Sequence, residues 1–482
     1  LRRLASYGLV MTSADFDLIV LGLGPGGEEV AGKVAAAGWS VLGADPGLVG
    51  GECPYYGCIP SKMILRGAEL LGETWRVDAM AGHATVEPDF TPVAARIRAE
   101  ATDNWDDRVA VERFEGQGGT FVRGTARLAG RDDEGHLLVA LGSDTYRTPR
   151  VVVATGTAPA LPPIDGLAEL RASGDGVDGP VWTNREAVKA TVAPQSLIVL
   201  GGGAIGCELA QGFARFGSRV TIIEAAPRIL LPEEPEASAV VADVLRREGV
   251  EVREGVGADK VTAGGAGVQV TLADGETISA EKLLVAAGRR PNLFDIGLET
   301  VELDPTARTL SIDEHMRVLR DDAPVDGLYS VGDITGRGAF THVSVWQARV
   351  LTAHLLGRDE AFGGYHGLAW ATFTDPEVGR VGLSEQQARE KGLSVRTGSE
   401  PMPSSSRGWI HGAGNDGLVK VVEDAERGVL VGATVVGPHG GEVLGLLTLA
   451  VHAEVPVATL ATMHYAFPTL HRAVLDAVRA LS

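Results

Sequence analysis

Two of the chain's three cysteines lie close together, in the stretch Gly50-Gly51-Glu52-Cys53-Pro54-Tyr55-Tyr56-Gly57-Cys58-Ile59-Pro60-Ser61-Lys62. Thiols at this C-x4-C spacing can close a strained local disulfide that is easily reduced, so the pair can take up and release two electrons. The competing use of paired cysteines is a zinc site. Zinc wants about four ligands, and no second Cys/His pair with suitable spacing is present, so no metal is expected. Cys207 stands alone behind a glycine turn and is expected to be buried as a small hydrophobe.

A redox pair needs an electron source, and two glycine turns offer one. Gly22-Leu23-Gly24-Pro25-Gly26-Gly27 fits G-x-G-x-x-G, and Gly201-Gly202-Gly203-Ala204-Ile205-Gly206 repeats the arrangement. In such a turn one glycine makes the bend, one lets the backbone approach a pyrophosphate, and one lets helix pack on strand. The helix N-terminus then faces the phosphates. Gly22, Gly24, Gly26 and Gly27, and Gly201, Gly203 and Gly206, are therefore expected cofactor contacts. An acid ends the strand that follows each turn, Asp45 in the first and Glu224 in the second. There it can accept hydrogen bonds from ribose hydroxyls. One such turn is weak evidence. Two, each with strand, helix and acid, indicate two dinucleotides, and FAD plus a nicotinamide dinucleotide is the economical pair. A carboxylate at Glu224 repels a 2′-phosphate, which favours NAD(H) over NADP(H), and Arg228 is the residue that could soften the preference.

The elements that position these groups are legible around them. Residues 16–21 read as a buried parallel strand, Glu28 to Gly38 as a helix and Val41-Leu42 as the next strand. The same strand–helix–strand unit returns over 196–224, with its helix at about 205–216. Between them lie a charged helical segment at about 90–115 and a hairpin region at about 118–147. The strand Val151-Val152-Val153-Ala154 ends in Thr155-Gly156, and Pro159, Pro162 and Pro163 mark a boundary. After Gly363-Gly364 the texture changes to alternating strands (418–422 and 429–436) and helices (442–453 and 470–481). The expected fold class is α/β: two Rossmann-like dinucleotide-binding domains followed by a C-terminal α+β domain. FAD is assigned to 12–160 and 289–360, NAD to 161–288, and the interface domain to 361–482. Residues 1–10 precede Met11 and are expected to be a non-native or disordered start.

Composition narrows the partners. The chain has 482 residues and a formal net charge of −20. That excludes nucleic acid, whose phosphates need clustered Lys and Arg, and disfavours an anionic membrane surface. No apolar run reaches the 18 residues of a membrane span, and three cysteines are too few for a disulfide-built secreted scaffold. A cytoplasmic protein acting on a small-molecule substrate is expected.

In these motifs the sequence resembles the class I pyridine nucleotide–disulfide oxidoreductases, the family of dihydrolipoamide dehydrogenase, glutathione reductase and mercuric reductase. The resemblance runs from about residue 14 to the C-terminus. It includes both glycine turns, the G-G-x-C-x4-C-x-P-S-K motif at 50–62 with Gly51, and Ala154-Thr155-Gly156. It continues through Gly288-Arg289-Arg290-Pro291-Asn292, Val331-Gly332-Asp333 and the stretch Phe373 to Gly382. It implies that Asp333 bonds the FAD ribityl chain and that Thr155 and Gly156 line the flavin ring. It implies that Lys62 sits near the flavin and pairs with Glu208, its charge stabilising reduced flavin. Cys58 is then the thiol facing the flavin, and Cys53 the one that attacks substrate. The family completes each active site with its partner's C-terminal residues, so a homodimer is implied.

One part of the family pattern is missing. Its disulfide reductases end in H-P-T-x-x-x-E or a close variant, where His is the acid/base for the attacking thiol and Glu orients it. The corresponding stretch here is Tyr465-Ala466-Phe467-Pro468-Thr469-Leu470-His471-Arg472. Phe467 cannot move a proton, a loss that typically costs about 10²- to 10⁴-fold, and Arg472 is permanently charged. His464 and His471 are each displaced from the functional position. 2-Ketopropyl-coenzyme M oxidoreductase/carboxylase is similar in carrying Phe at that place and Pro after its first cysteine, as Cys53-Pro54 does. Three functions are therefore open. In the first, electrons pass from NADH to FAD to Cys53–Cys58 and on to a sulfur-containing substrate that is reduced or cleaved, with Arg472 binding an anionic group or steadying a thiolate. In the second, the flavin serves a quinone or dye directly. In the third, the chain is a non-catalytic flavoprotein subunit or redox sensor.

Overall fold

The computed structural model describes residues 16–174, 176–265, 267–358 and 362–482. The start at 1–10 and Met11 lie outside the described residues. The chain forms two compact units, and the boundary between them first falls inside the cysteine loop. One unit takes the chain up to Tyr55, then Trp105–Ala158 and Arg290–Phe362. The other takes Tyr56–Asn104, Pro159–Arg289 and Gly363–Ser482.

The first unit is built on a six-stranded sheet in the order Arg317–Arg320, Ala323–Ser330, Val151–Val153, Leu18–Leu21, Val41–Asp45, Thr120–Arg123. All neighbours are parallel except the first pair. Leu18–Leu21 is buried throughout because both faces of this sheet are covered. Leu18 and Val20 meet Val30, Ala31 and Val34 of the helix Pro25–Ala36. Ile19 and Leu21 point the other way, toward the three-stranded antiparallel sheet of Ala126–Arg131, Leu137–Leu141 and Asp144–Thr148. The expected charged helical segment is broken. Helices Thr91–Arg96 and Arg108–Gly116 are separated by a turn in which Asp103, Asn104 and Trp105 all have positive φ.

The second unit contains a parallel five-stranded sheet, in the order Glu251–Glu254, Arg219–Glu224, Ser196–Leu200, Lys282–Val285, Val181–Trp182. The helix Ala204–Arg215 follows its central strand. An antiparallel five-stranded sheet runs Ala369–Thr372, Glu377–Gly382, Val429–Gly437, Leu418–Asp424, Val395–Pro401. The helices Gly440–His452 and Ala473–Arg479 close its core through Leu444, Leu447, Val474 and Val478. Among the described residues no helix is long and apolar enough to cross a membrane.

The helix Cys58–Arg76 belongs to the second unit and lies against Ala204–Arg215. Gly212 leaves room for Ile64, and Gly72 for the Arg215 guanidinium. Arg215 is 2% exposed. It bonds Glu248 at 2.6 Å and Asp375 at 2.7 Å, and Arg76 reaches the same Asp375 oxygen at 2.7 Å. Burial alone would raise the Asp375 pKa, but Arg215 and Arg76 outweigh it and hold the carboxyl below its ordinary range. A second buried cation, Lys420, joins Glu234 and Glu236 to Glu385 at 2.9–3.1 Å.

Asp375→Asn leaves Arg215 buried without its full complement of charge, and destabilisation of about 3–5 kcal/mol is expected in denaturant titration at pH 7. Because the folded carboxyl is depressed, its contribution is present above the ordinary carboxylate pKa and is lost as pH falls through the folded value. The gap between wild type and Asp375→Asn therefore narrows as the titration is repeated toward pH 3. A gap that stays constant with pH contradicts the assignment.

Candidate redox and dinucleotide sites

The two glycine turns are built alike. Gly22 has φ +92°, and a Cβ there would meet the Ala154 carbonyl oxygen at 2.5 Å; Gly201 has φ +108° and the same relation to Ala286 at 2.5 Å. At Gly27 and Gly206 a Cβ would lie 2.0 Å from the carbonyl oxygens of Gly22 and Gly201. These four glycines are required by the protein's own packing. Gly24 and Gly203 are different: their φ values are ordinary, −68° and −75°, and a Cβ would meet nothing within 4 Å. Nothing in the chain demands glycine at either place, whereas a pyrophosphate lying on the helix N-terminus does. This open cradle fits the pyrophosphate of a dinucleotide in each turn. Gly26 packs on Ser344, and Gly51, at φ +70°, on the backbone of Gly24.

The two acids do more than await a ribose. Asp45 accepts the backbone N–H groups of Leu23 and Gly47, both at 2.7 Å. Glu224 accepts those of Gly202 and Ala226, both at 2.6 Å. Each carboxylate thus braces its own glycine turn, and each oxygen keeps a lone pair for a further donor. Burial raises the Asp45 pKa despite these bonds. Arg228 donates to the carbonyls of Leu231 at 3.1 Å and Glu233 at 2.8 Å, so its guanidinium is already engaged.

The residues that the resemblance assigns to the flavin come together in the first unit. Asn292 donates its side-chain amide to the Thr155 carbonyl and its backbone N–H to the Gly156 carbonyl, both at 2.9 Å. The Thr155 hydroxyl is buried with no hydrogen-bond partner, an orphaned group that a flavin edge can satisfy. Asp333 accepts Thr157 Oγ1 at 2.6 Å. Gln347, which is fully buried, holds the preceding Gly332 N–H at 2.7 Å and Thr335 at 3.0 Å. Sequence reasoning missed Gln347; a buried amide inside an apolar helix is its only signal. In the second unit Gly288, at φ +112°, accepts the Ala160 N–H at 3.0 Å, and a Cβ there would meet open space.

Cys53 lies half-buried in the short helix Glu52–Tyr55. The Val49 N–H just before it donates to Asp107, which Arg123 also grips. The Tyr55 carbonyl accepts the Trp105 indole N–H at 3.0 Å. Cys58 is exposed and is the first residue of the helix Cys58–Arg76, where the helix dipole favours negative charge. Lys62 follows at i+4 and so shares a helix face with Cys58. Its ammonium meets Glu208 at 2.7 Å and lies over the Phe373 ring at 4.7 Å. The other Glu208 oxygen accepts the Phe373 N–H at 2.8 Å, and Glu208 is 4% exposed. Cys207 is fully buried, its sulfur against the Gly202 carbonyl at 3.3 Å, and burial pushes its thiol strongly up.

At the C-terminal end Phe467 is 70% exposed and lies in a cis peptide with Pro468. Arg472 pairs with Asp476 at 2.8 Å, one helical turn on, with its guanidinium 6.0 Å from the Phe467 ring centroid. The expectation that Arg472 points to an anionic substrate meets an internal partner that the i,i+4 spacing already signalled. His471 reaches Thr469 at 3.4 Å.

The glycine geometry predicts opposite outcomes within one turn. Gly24→Ala loses bound flavin absorbance, and its apo form melts at the same temperature as the wild-type apo form. Gly27→Ala disturbs the turn itself and lowers the melting temperature. Equal stability losses in both would remove the reading of Gly24 as a ligand-facing position.

Comparison with known proteins agrees with this geometry. Residues 16–348 match the model of the pyridine nucleotide-disulphide oxidoreductases, and residues 368–478 match that family's dimerisation domain. The dihydrolipoyl dehydrogenase of Thermus scotoductus is 33% identical, with 97% of each chain covered, and that of Haloferax volcanii 32%, with 96% and 95% covered. Among solved structures, LpdA from Mycobacterium tuberculosis superposes with a TM-score of 0.82 at 25% identity, over 96% of this chain and 98% of that one. The flavoprotein disulfide reductase RclA from Escherichia coli shares the fold, with a TM-score of 0.79 at 23% identity, over 96% and 99%. With its two glycine cradles, its cysteine pair and its dimerisation sheet, the chain belongs to the pyridine nucleotide-disulphide oxidoreductases.

Proposed function

We propose that this chain is an NADH-dependent disulfide oxidoreductase, similar to dihydrolipoyl dehydrogenase but without the usual acid/base pair, in which Cys53 and Cys58 exchange electrons with a sulfur-containing substrate. The observation that carries it is the Lys62–Glu208 pair one turn along the helix that Cys58 begins. A fixed cation on the face of Cys58, added to the helix N-terminus, favours the thiolate that exchange requires.

Gly22, Gly24, Gly26, Gly27, Thr155, Gly156 and Asp333 would hold FAD, which when bound would supply two-electron chemistry between the nicotinamide and the dithiol. The rest falls to the chain's own residues. Gly201, Gly203, Gly206, Gly288 and Glu224 hold NADH. The pinned guanidinium of Arg228 supports exclusion of a 2′-phosphate. Cys53 is the thiol offered to the substrate. Phe467 contributes an apolar surface and Arg472 a charge neutralised by Asp476, so the proton for the leaving thiol comes from solvent or substrate. We assign residues 12–160 and 289–360 to FAD, 161–288 to NAD(H) and 361–482 to the subunit interface of a homodimer, and place the protein in the cytoplasm.

The second reading, direct reduction of a quinone or dye from flavin, is favoured by the missing acid/base at Phe467. The test is NADH-driven turnover of lipoamide, glutathione disulfide and a quinone by wild type and Cys53→Ser. Disulfide turnover that Cys53→Ser abolishes supports the proposal. Quinone reduction alone, unaffected by Cys53→Ser, sinks it.

Two substitutions grade the mechanism. Lys62→Met removes a preorganised charge and is expected to lower kcat about 10²-fold or more, leaving the KM for NADH unchanged. Phe467→His restores a titratable group where the family has one, and is expected to raise disulfide turnover by up to about 10²-fold near neutral pH. A rate no higher than wild type would show that the site has reorganised around another proton donor.

A further inference from the structure

The loop between the cysteines carries two tyrosines that neither the glycine cradles nor the Lys62–Glu208 pair explains. Tyr56 stands two residues ahead of Cys58 and is held in two ways within the second unit. Its carbonyl accepts the side-chain amide of Asn184 at 2.8 Å. Its ring takes a cation from each of two side chains, with Arg185 Cζ 4.9 Å and Lys189 Nζ 5.2 Å from the centroid. Both fall inside the ~6 Å reach of a cation–π contact.

The three gripping residues come from one short segment that is itself well fastened. Trp182-Thr183-Asn184-Arg185-Glu186 reads as a capping box, Thr-x-x-Glu. The helix Asn184–Ala187 shows it: the Thr183 N–H donates to Glu186 Oε2 at 2.7 Å, and Thr183 Oγ1 accepts the Arg185 N–H at 3.2 Å. Glu186 is paired in turn with Arg171 at 2.7 Å. Asn184 is 7% exposed, so its amide cannot turn to water without cost. A buried amide fixes the backbone at Tyr56, and two cations fix its ring.

We propose that Asn184, Arg185 and Lys189 are positioning residues for the redox loop: they fix Tyr56, and through it Cys58, and set two positive charges beside the loop that favour the thiolate-bearing dithiol over the disulfide. This inference rests on Cys53 and Cys58 being the working pair. Family resemblance offers no such role for these residues; the capping box and the two cation–ring contacts do.

The experiment equilibrates the holoenzyme in dithiothreitol redox buffers and counts protein thiols after quenching. Two electrons and one proton pass from the buffer dithiol to the protein disulfide and the buffer's second proton goes to solvent, so the buffer closes its ring as the protein opens to a thiol and a thiolate. Arg185 is exposed and Lys189 half-buried, so R185Q/K189Q tests the charges without a risk to folding. R185Q/K189Q and Tyr56→Leu are each expected to shift the equilibrium toward the disulfide about tenfold, which is about 30 mV for a two-electron couple. Tyr56→Phe keeps the ring and the carbonyl contact and is expected to stay within about twofold of wild type. A native-like R185Q/K189Q with the wild-type equilibrium constant overturns the proposal. A wild type that releases no more thiols than Cys53→Ser overturns the dithiol reading itself, and the proposal with it.

Discussion

Glu208 is the residue on which the geometry around the cysteine-bearing helix depends. Taking a carboxylate to 4% exposure is unfavourable unless both oxygens are satisfied. Here one oxygen takes the Lys62 ammonium and the other the Phe373 N–H. Three segments far apart in sequence are tied at one point: the helix that Cys58 begins, the helix that follows the second glycine turn, and the turn between the first two strands of the dimerisation sheet. The same three are tied again about four turns along the first helix and about two along the second, where Arg76 and Arg215 share Asp375. Two fastenings on one helix pair fix rotation as well as separation, and so fix the direction in which Lys62 faces.

How much of this was legible in the chain depends on the range of the interaction. Strand–turn–helix periodicity is local, and the strands at 18–21 and 196–200 stand where the apolar runs placed them. The helices begin somewhat earlier than the periodicity suggested, at Pro25 and Ala204, because a glycine turn can enter a helix without an apolar residue to mark it. The C-terminal strands were readable to within two residues. The charged stretch near 90–115 read as one helix, and its pattern concealed the left-handed turn at Asp103–Trp105. No sequence pattern joins Arg76, Arg215, Glu248 and Asp375, since only folding brings them together.

The site shows the same division. Glycines were identified by spacing, but spacing alone did not say which answer to packing and which to a ligand. The open space at Gly24 and Gly203 makes that distinction. Asp45 and Glu224 were read as ribose acceptors, and their bonds to the turn backbone add a second duty. Two local signals went unread although they were present: the Thr183–Glu186 capping box and the Arg472–Asp476 spacing. Both are i,i+3 or i,i+4 relations that become informative only when the neighbouring element is known to carry function.

The third cysteine has a bearing on how such a protein survives oxidants. Thiol–disulfide exchange proceeds through a thiolate with access to the sulfur it attacks. Cys207 has neither, being sealed inside the helix that follows the second turn with its proton held by burial and directed at a carbonyl. Scrambling needs a third participant, and this one is withheld. In the proposed dithiol chemistry, exchange is thereby confined to Cys53 and Cys58.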